Sequence, residues 1–220
     1  MTPSSILRSL LLGSTLLFSW YAPQTAYAVS QTAEPENIIR KTTEGLLTAL
    51  RSDPQAYNAD RKKLMTLVDR VLMPSLDFPL TSRLVMGRYW RRADEKQQAQ
   101  FVRLFRDMLL RTYTAPLLEY AADVNIEFQP GKAQTNEKRA TVRTTLSFSG
   151  SQPVPVHYSM RYKEDGWKVY DVVIGGISAV VTFRSSFSED IKKRGLEGFL
   201  KKLETHNAQL AANERQQAGR

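Results

Sequence analysis

Val154-Pro155-Val156-His157-Tyr158-Ser159-Met160-Arg161-Tyr162-Lys163-Glu164-Asp165-Gly166-Trp167-Lys168-Val169-Tyr170-Asp171-Val172-Val173-Ile174-Gly175-Gly176 is the stretch that decides the fold. Val154, Val156, Tyr158, Met160 and Tyr162 fall on alternate positions, the period of a strand with one buried face. Glu164-Asp165-Gly166 is a hairpin turn with Asp-Gly at its centre, so the next strand returns antiparallel. That strand, Trp167 to Ile174, is apolar on both faces except at Asp171, and part of its second face must also be covered. Gly175-Gly176 ends it and reads as a strand-to-helix turn.

The same period extends upstream. Thr141 to Phe148 alternates through Val142, Leu146 and Phe148, and Gly150-Ser151-Gln152-Pro153 turns the chain into the next strand. Val124 to Gln129 is a further strand, separated from Thr141 by a polar turn region, Pro130 to Lys138. Before Val124 the period is helical. Val29 to Pro35 is a polar, flexible leader, and Glu36 to Arg51 is a helix with Ile39, Leu46, Leu47 and Leu50 on one side. Asp60 caps a helix with the stripe Leu64, Leu67, Val68 and Val71, which Pro74 ends. Leu76 to Trp90 is apolar and broken by Pro79 and Gly87. Asp94 caps the longest helix, which runs to about Tyr113 on an inner face of Phe101, Leu104, Phe105, Met108 and Leu109. Pro116 begins a separate short turn. After the strands, Val180 to Ile191 and Leu196 to Leu203 are helical, and Gln209 to Arg220 is a polar, frayed tail. Helices leading into a hairpin-connected sheet make an α+β domain, an antiparallel sheet packed against several helices, over 29–208.

Arg8 is the only charged side chain before Glu34, Leu10 to Trp20 is an apolar run, and Ala26-Tyr27-Ala28 is a small-x-small site. Residues 1–28 therefore read as a secretory signal peptide cut near Ala28; the run falls short of the about 20 residues of a permanent span. The absence of cysteine excludes disulfides, thiolate metal sites, thiol catalysis and a lipidated N-terminal Cys. The net charge of +9, from 31 Lys and Arg against 22 Asp and Glu, favours anionic partners. Export makes membranes and acidic proteins those partners, not nucleic acid.

Candidate chemistry is sparse. His157 points away from the apolar face, and His206 lies in the tail, so no metal site or cofactor is expected. No nucleophile elbow or His-Glu-x-x-His motif occurs. Asp171 is read on one face with Trp167, Val169 and Val173. It is open to two readings: a carboxylate in an apolar cavity serving as a base for an isomerase or dehydratase, or a structural group that fixes the Gly-Gly turn or pairs with Arg88. The nine Phe, nine Tyr and three Trp either fill an ordinary core or line a cavity for an apolar ligand.

Leu84-Val85-Met86-Gly87-Arg88-Tyr89-Trp90, Trp167-Lys168-Val169-Tyr170-Asp171-Val172-Val173-Ile174-Gly175-Gly176-Ile177-Ser178, Val181 to Phe187 and Gly195 to Leu200 together resemble the MlaC, or toluene-tolerance, family of periplasmic phospholipid-binding proteins. The resemblance covers about 38–207 and departs at Gly175, where the family usually carries Glu. It implies a carrier and no catalytic residues: a sheet with helices packed on it, related to the cone of nuclear transport factor 2, with acyl chains in an internal apolar cavity. It further implies the periplasm of a Gram-negative bacterium, phospholipid as cargo, and exchange with an outer-membrane complex of MlaA and a porin and an inner-membrane MlaFEDB transporter, maintaining outer-membrane lipid asymmetry. The lipid-binding wall then falls on the apolar faces: Leu84, Val85, Phe101, Phe105, Leu109, Val142, Leu146, Tyr158, Met160, Trp167, Val169, Val173, Ile177 and Val181.

Overall fold

The computed structural model describes residues 25–129, 134–136 and 138–218. Most of the expected signal segment, residues 1–24, lies outside them. Helix α1 (Thr25–Ser52) buries Ile39, Leu46 and Leu50. It continues back through the stretch expected as a flexible leader and contains Pro35. Helix α2 (Pro54–Ala59) and helix α3 (Arg61–Leu72) start at the side chains of Asp53 and Asp60, which accept from Ala56 N and Lys63 N.

Helix α4 (Phe78–Met86) corrects the reading of Pro79 as a break. Asp77 accepts from Leu80 N, and Pro79 occupies the first turn, where a missing N–H costs nothing. Gly87, at φ 52°, ends the helix and leads into a 3-10 segment, Gly87–Arg92. Helix α5 (Glu95–Ala121) opens with a reciprocal capping box between Asp94 and Gln97. It runs through Pro116 without the expected interruption. One lost backbone bond is outweighed because Leu118 and Ala121 are buried against Leu46, Leu50, Leu64 and Leu67.

The sheet comprises β1 (Asn125–Phe128), β2 (Gln134–Asn136), β3 (Arg139–Ser147), β4 (Val154–Lys163), β5 (Gly166–Ile174) and β6 (Ile177–Ser178). Its order is β1-β3-β4-β5-β6, antiparallel throughout, with β2 also on β3. Two strands were not anticipated. β2 forms within the expected turn region, and β6 folds back on β5 across Gly175 and Gly176, at φ 57° and 84°. The glycine pair is thus a strand-to-strand turn. The last segment, α6 (Ala179–Ala218), is two helices meeting at Gly195, whose φ of 71° breaks the helical path. The second reaches Ala218, so the tail from Gln209 is helical there. Glu214 holds it down by accepting from Arg111 at 2.5 Å.

Three clusters fill the interior. One joins α4, α5 and α6 around Phe101, Phe105, Phe187 and Phe199. A second joins α1, α2, α3 and the end of α5. The third sets Ile39 of α1 on the inner face of the sheet, against Ala140, Val142, Met160, Trp167 and Val169.

Candidate functional site

A half-open cavity of about 150 Å³ lies where the sheet meets the α4–α5–α6 layer. Leu76, Phe78, Thr81 and Val85 form one side, from α4 and the residues before it. Phe105 and Leu109 of α5 form the floor. Val169 to Val172 of β5 and Ala179, Val180 and Phe183 of α6 complete the wall. Phe105 is the centre of an aromatic cluster, with ring centroids 5.5 Å from Phe78, 5.4 Å from Phe101 and 5.2 Å from Phe183.

The few polar groups at the wall are already satisfied. Thr81 Oγ1 donates to the Tyr170 carbonyl at 2.9 Å, clamping α4 to β5. Asp171 accepts from Ser178 Oγ at 2.6 Å and from Val180 N at 3.0 Å. Its carboxylate therefore closes the β5–β6 turn and caps α6, the structural role rather than that of a free base. Arg88 is not its partner; that guanidinium donates to the Tyr89 hydroxyl at 3.0 Å. Satisfied polar groups leave an interior that presents apolar atoms. Such a space binds hydrocarbon and offers no hydrogen-bond code to a headgroup inside it.

The residues expected to form the wall divide into groups. Val85, Phe105, Leu109 and Val169 line the cavity. Phe101 lies fully buried behind Phe105, and Leu84 packs on the same helical cluster. Val142, Met160 and Trp167 are buried on the inner sheet face with Tyr158 beside them. Leu146 pairs with Ile126 and Val154 nearer the end of β3, outside that cluster. Burial pushes the Tyr158 phenol above its ordinary value, and a hydrogen bond with Thr144 opposes the shift.

Three expectations are corrected. The β4–β5 register slips at Met160, which pairs with Val169, while Ser159 pairs with Asp171; Tyr170 is the extra residue of a bulge. Beyond it the pleat is inverted. Val172, opposite Tyr158, belongs to the inner face and lines the cavity. Val173, opposite His157, lies on the other face with Asp171, so neither shares the face of Trp167 and Val169. Ile177, 67% exposed, and Val181, 47% exposed, face solvent around the β5–β6 turn. The cavity is also lined by Leu76, Phe78, Thr81, Tyr170, Val172, Ala179, Val180 and Phe183, which the sequence did not mark as wall. Helical spacing had marked Val180 and Phe183 as apolar stripe, but no spacing rule brings that stripe against β5.

Among the described residues there is no cluster of His, Cys, Asp or Glu able to hold a metal ion, and no helix long and apolar enough to cross a membrane. Residues 40–205 match the MlaC protein family. The chain is 28% identical over 162 residues to toluene tolerance protein ttg2D of Pseudomonas putida, covering 73% of this chain and 74% of that protein. It is 21% identical over 192 residues to the intermembrane phospholipid transport system binding protein MlaC of Haemophilus influenzae, covering 84% and 89%. A solved phospholipid-binding protein from Ralstonia solanacearum, in complex with a phospholipid, is similar with a TM-score of 0.74 and 31% identity, covering 81% of this chain and 99% of that one. The fold and the matched span agree: this chain belongs to the MlaC family.

Proposed function

We propose that this protein is a periplasmic carrier that holds a phospholipid by its acyl chains and shuttles it between outer- and inner-membrane Mla complexes, maintaining outer-membrane lipid asymmetry. The observation that carries this reading is the half-open apolar cavity between the sheet and the α4–α5–α6 layer. The phospholipid named with the Ralstonia solanacearum protein supports it. Each buried methylene is worth about 0.8 kcal/mol, so two long chains represent on the order of 20 kcal/mol against water. A lipid cannot cross an aqueous gap unaided at a useful rate. A carrier needs only a pocket comparable to the bilayer interior, and hand-over is then nearly isoenergetic. An apolar wall without a polar code implies weak headgroup selectivity.

The partners we propose are an outer-membrane complex of MlaA and a porin and an inner-membrane MlaFEDB-type transporter. The positive charge of the chain supports docking on acidic surfaces. The enzyme reading loses support because both oxygens of Asp171 are engaged by Ser178 and Val180. Mass spectrometry of the organic extract of the purified protein tests the proposal. Glycerophospholipid with mixed headgroups is the expected result; a small metabolite, or lipid-free protein that takes up no lipid from vesicles, overturns it.

A further inference from the structure

The apolar inner face of β5 does not stop at the cavity. Val172 lines the cavity, and Ile174, two residues on, lies on the same face, opposite Val156 and paired across the turn with Ile177 of β6. Ile174 is 52% exposed, and Ile177 and Val181 are exposed with it. Gly175 and Gly176, both at positive φ, make the turn that brings the two isoleucines together. Val181 N donates to Ser178 Oγ at 3.1 Å, which places Val181 in the first turn of α6. Three aliphatic side chains thus stand in water around one turn, beside the half-open cavity. Basic groups flank them. Arg184 follows Val181 by three residues, on the same face of α6. Its side chain lies over Gly87, where an added Cβ would come within 3.2 Å of its Cδ. That sets it beside the segment 87–92, in which the Arg88 and Arg92 guanidiniums lie 5.0 Å and 6.0 Å from the Tyr89 ring centre. Arg88, Arg92 and Arg184 are exposed, and no ion pair among the described residues engages them.

We propose that this tip docks on the surface of an anionic phospholipid bilayer, with Ile174, Ile177 and Val181 entering the headgroup boundary and Arg88, Arg92 and Arg184 meeting lipid phosphates. The contact goes beyond carriage between protein complexes and requires neither complex. Guanidinium groups match phosphate oxygens in charge and geometry. Aliphatic side chains gain by leaving water and need no partner of matching shape. A protein partner fits less well. Three aliphatic side chains cannot fill the core of an interface of about 800 Å² per partner. β6, at two residues, is too short an edge to take an added strand. A small apolar group alone holds a membrane weakly, and a basic patch beside it supplies the second signal that stable attachment needs. Because the tip continues the cavity wall, docking there brings that wall to the bilayer.

The test floats the whole protein on vesicles of equal parts phosphatidylglycerol and phosphatidylcholine, and on vesicles of phosphatidylcholine alone. Wild type is expected to partition to the anionic vesicles about tenfold more strongly than to the neutral ones. Ile177→Ser with Val181→Ser, and separately Arg184→Glu, each checked for folding by circular dichroism, are expected to lose about tenfold of that partition. Because the chain has no cysteine, Ile177→Cys and Tyr162→Cys each give a single site for an environment-sensitive dye. Tyr162, 50% exposed, lies at the other end of the β4–β5 hairpin. On anionic vesicles the dye at 177 should shift to the blue and the dye at 162 should not. Wild type that does not float, or that floats equally on both vesicles, overturns the docking tip. So do folded variants that keep the wild-type partition, and dye shifts at both sites or at neither. Flotation counts protein held on vesicles and so separates docking from uptake of a lipid into the cavity. Glycerophospholipid in the organic extract alongside failed flotation leaves the carrier reading intact; flotation by a protein that never holds lipid overturns the carrier reading and leaves the docking tip.

Discussion

Asp77 has no exposed side-chain surface, yet it is charged and central. Its carboxylate caps α4 through Leu80 N and accepts from the Arg161 guanidinium, while its own N–H donates to the Val169 carbonyl at 2.7 Å. One residue thus ties α4 to β4 and β5 beside the cavity. Arg161→Ala leaves a buried carboxylate short of a partner. Because Arg161 itself is partly solvated, the loss is expected to be about 1–3 kcal/mol, read from urea unfolding, rather than that of a fully buried pair. Tyr158 provides a pH dependence. Its folded phenol titrates above the ordinary value because burial disfavours the phenolate. Below about pH 10 both states hold the proton and stability is complete; as pH rises from there toward the folded value, only the unfolded state ionises, and stability falls. Unfolding midpoints at about pH 9 and about pH 11 should therefore diverge in wild type, and Tyr158→Phe should remove that share of the slope.

At the scale of elements, β5 decides the site. Its alternation, counted from Trp167, puts Val173 inward; the bulge at Tyr170 puts Val172 there. A bulge has no composition signal in this strand, since Val169, Val172 and Val173 suit either face. The two substitutions separate the alternatives. Val172→Glu places a charge against the cavity wall, a costly burial, and is expected to abolish co-purification of lipid. Val173→Glu lies on the His157 face and is expected to retain lipid. Lipid recovered per protein by phosphate assay checks both; the reverse pattern would restore the uninterrupted pleat. The starts of α3 and α5, by contrast, were legible. Asp60 and Asp94 sit one residue before their helices because a short acceptor side chain satisfies N–H groups the helix leaves open.

At the scale of the molecule, charge and cavity are separate devices. Between Arg83 and Arg111 the chain carries eight basic residues against three acidic ones. The tertiary structure thins that excess: Arg106 pairs with Asp69, and Arg111 with Asp107 and Glu214. Arg91 and Arg92 stay exposed, and Arg92 leans over the Tyr89 ring. Exposed charges steer encounter more than they add affinity, and salt screens them over about 8–10 Å. Arg91→Glu with Arg92→Glu should slow association with membrane-complex partners and weaken its salt dependence while bound lipid is unchanged, as surface plasmon resonance and lipid extraction would show. Association indifferent to both salt and charge reversal would mark these arginines as merely solvated.

What the sequence determined by itself was the local order. Alternation in Val154 to Tyr162 and the Asp-Gly turn dictate a hairpin, helical stripes dictate amphipathic helices, and the polarity pattern makes an α+β domain. Each of these follows from interactions within a few residues. The resemblance in Trp167 to Ser178 added the family. Only the tertiary structure decided which faces meet. It carried α5 through Pro116 by burying Leu118, held the tail by the Arg111–Glu214 pair, and inverted the pleat at Tyr170. It also set Phe183 and Phe187 of α6 against Phe105 of α5, across many residues of chain. A cavity is the space left between elements, and its walls come from segments distant in sequence, so no local period can specify it.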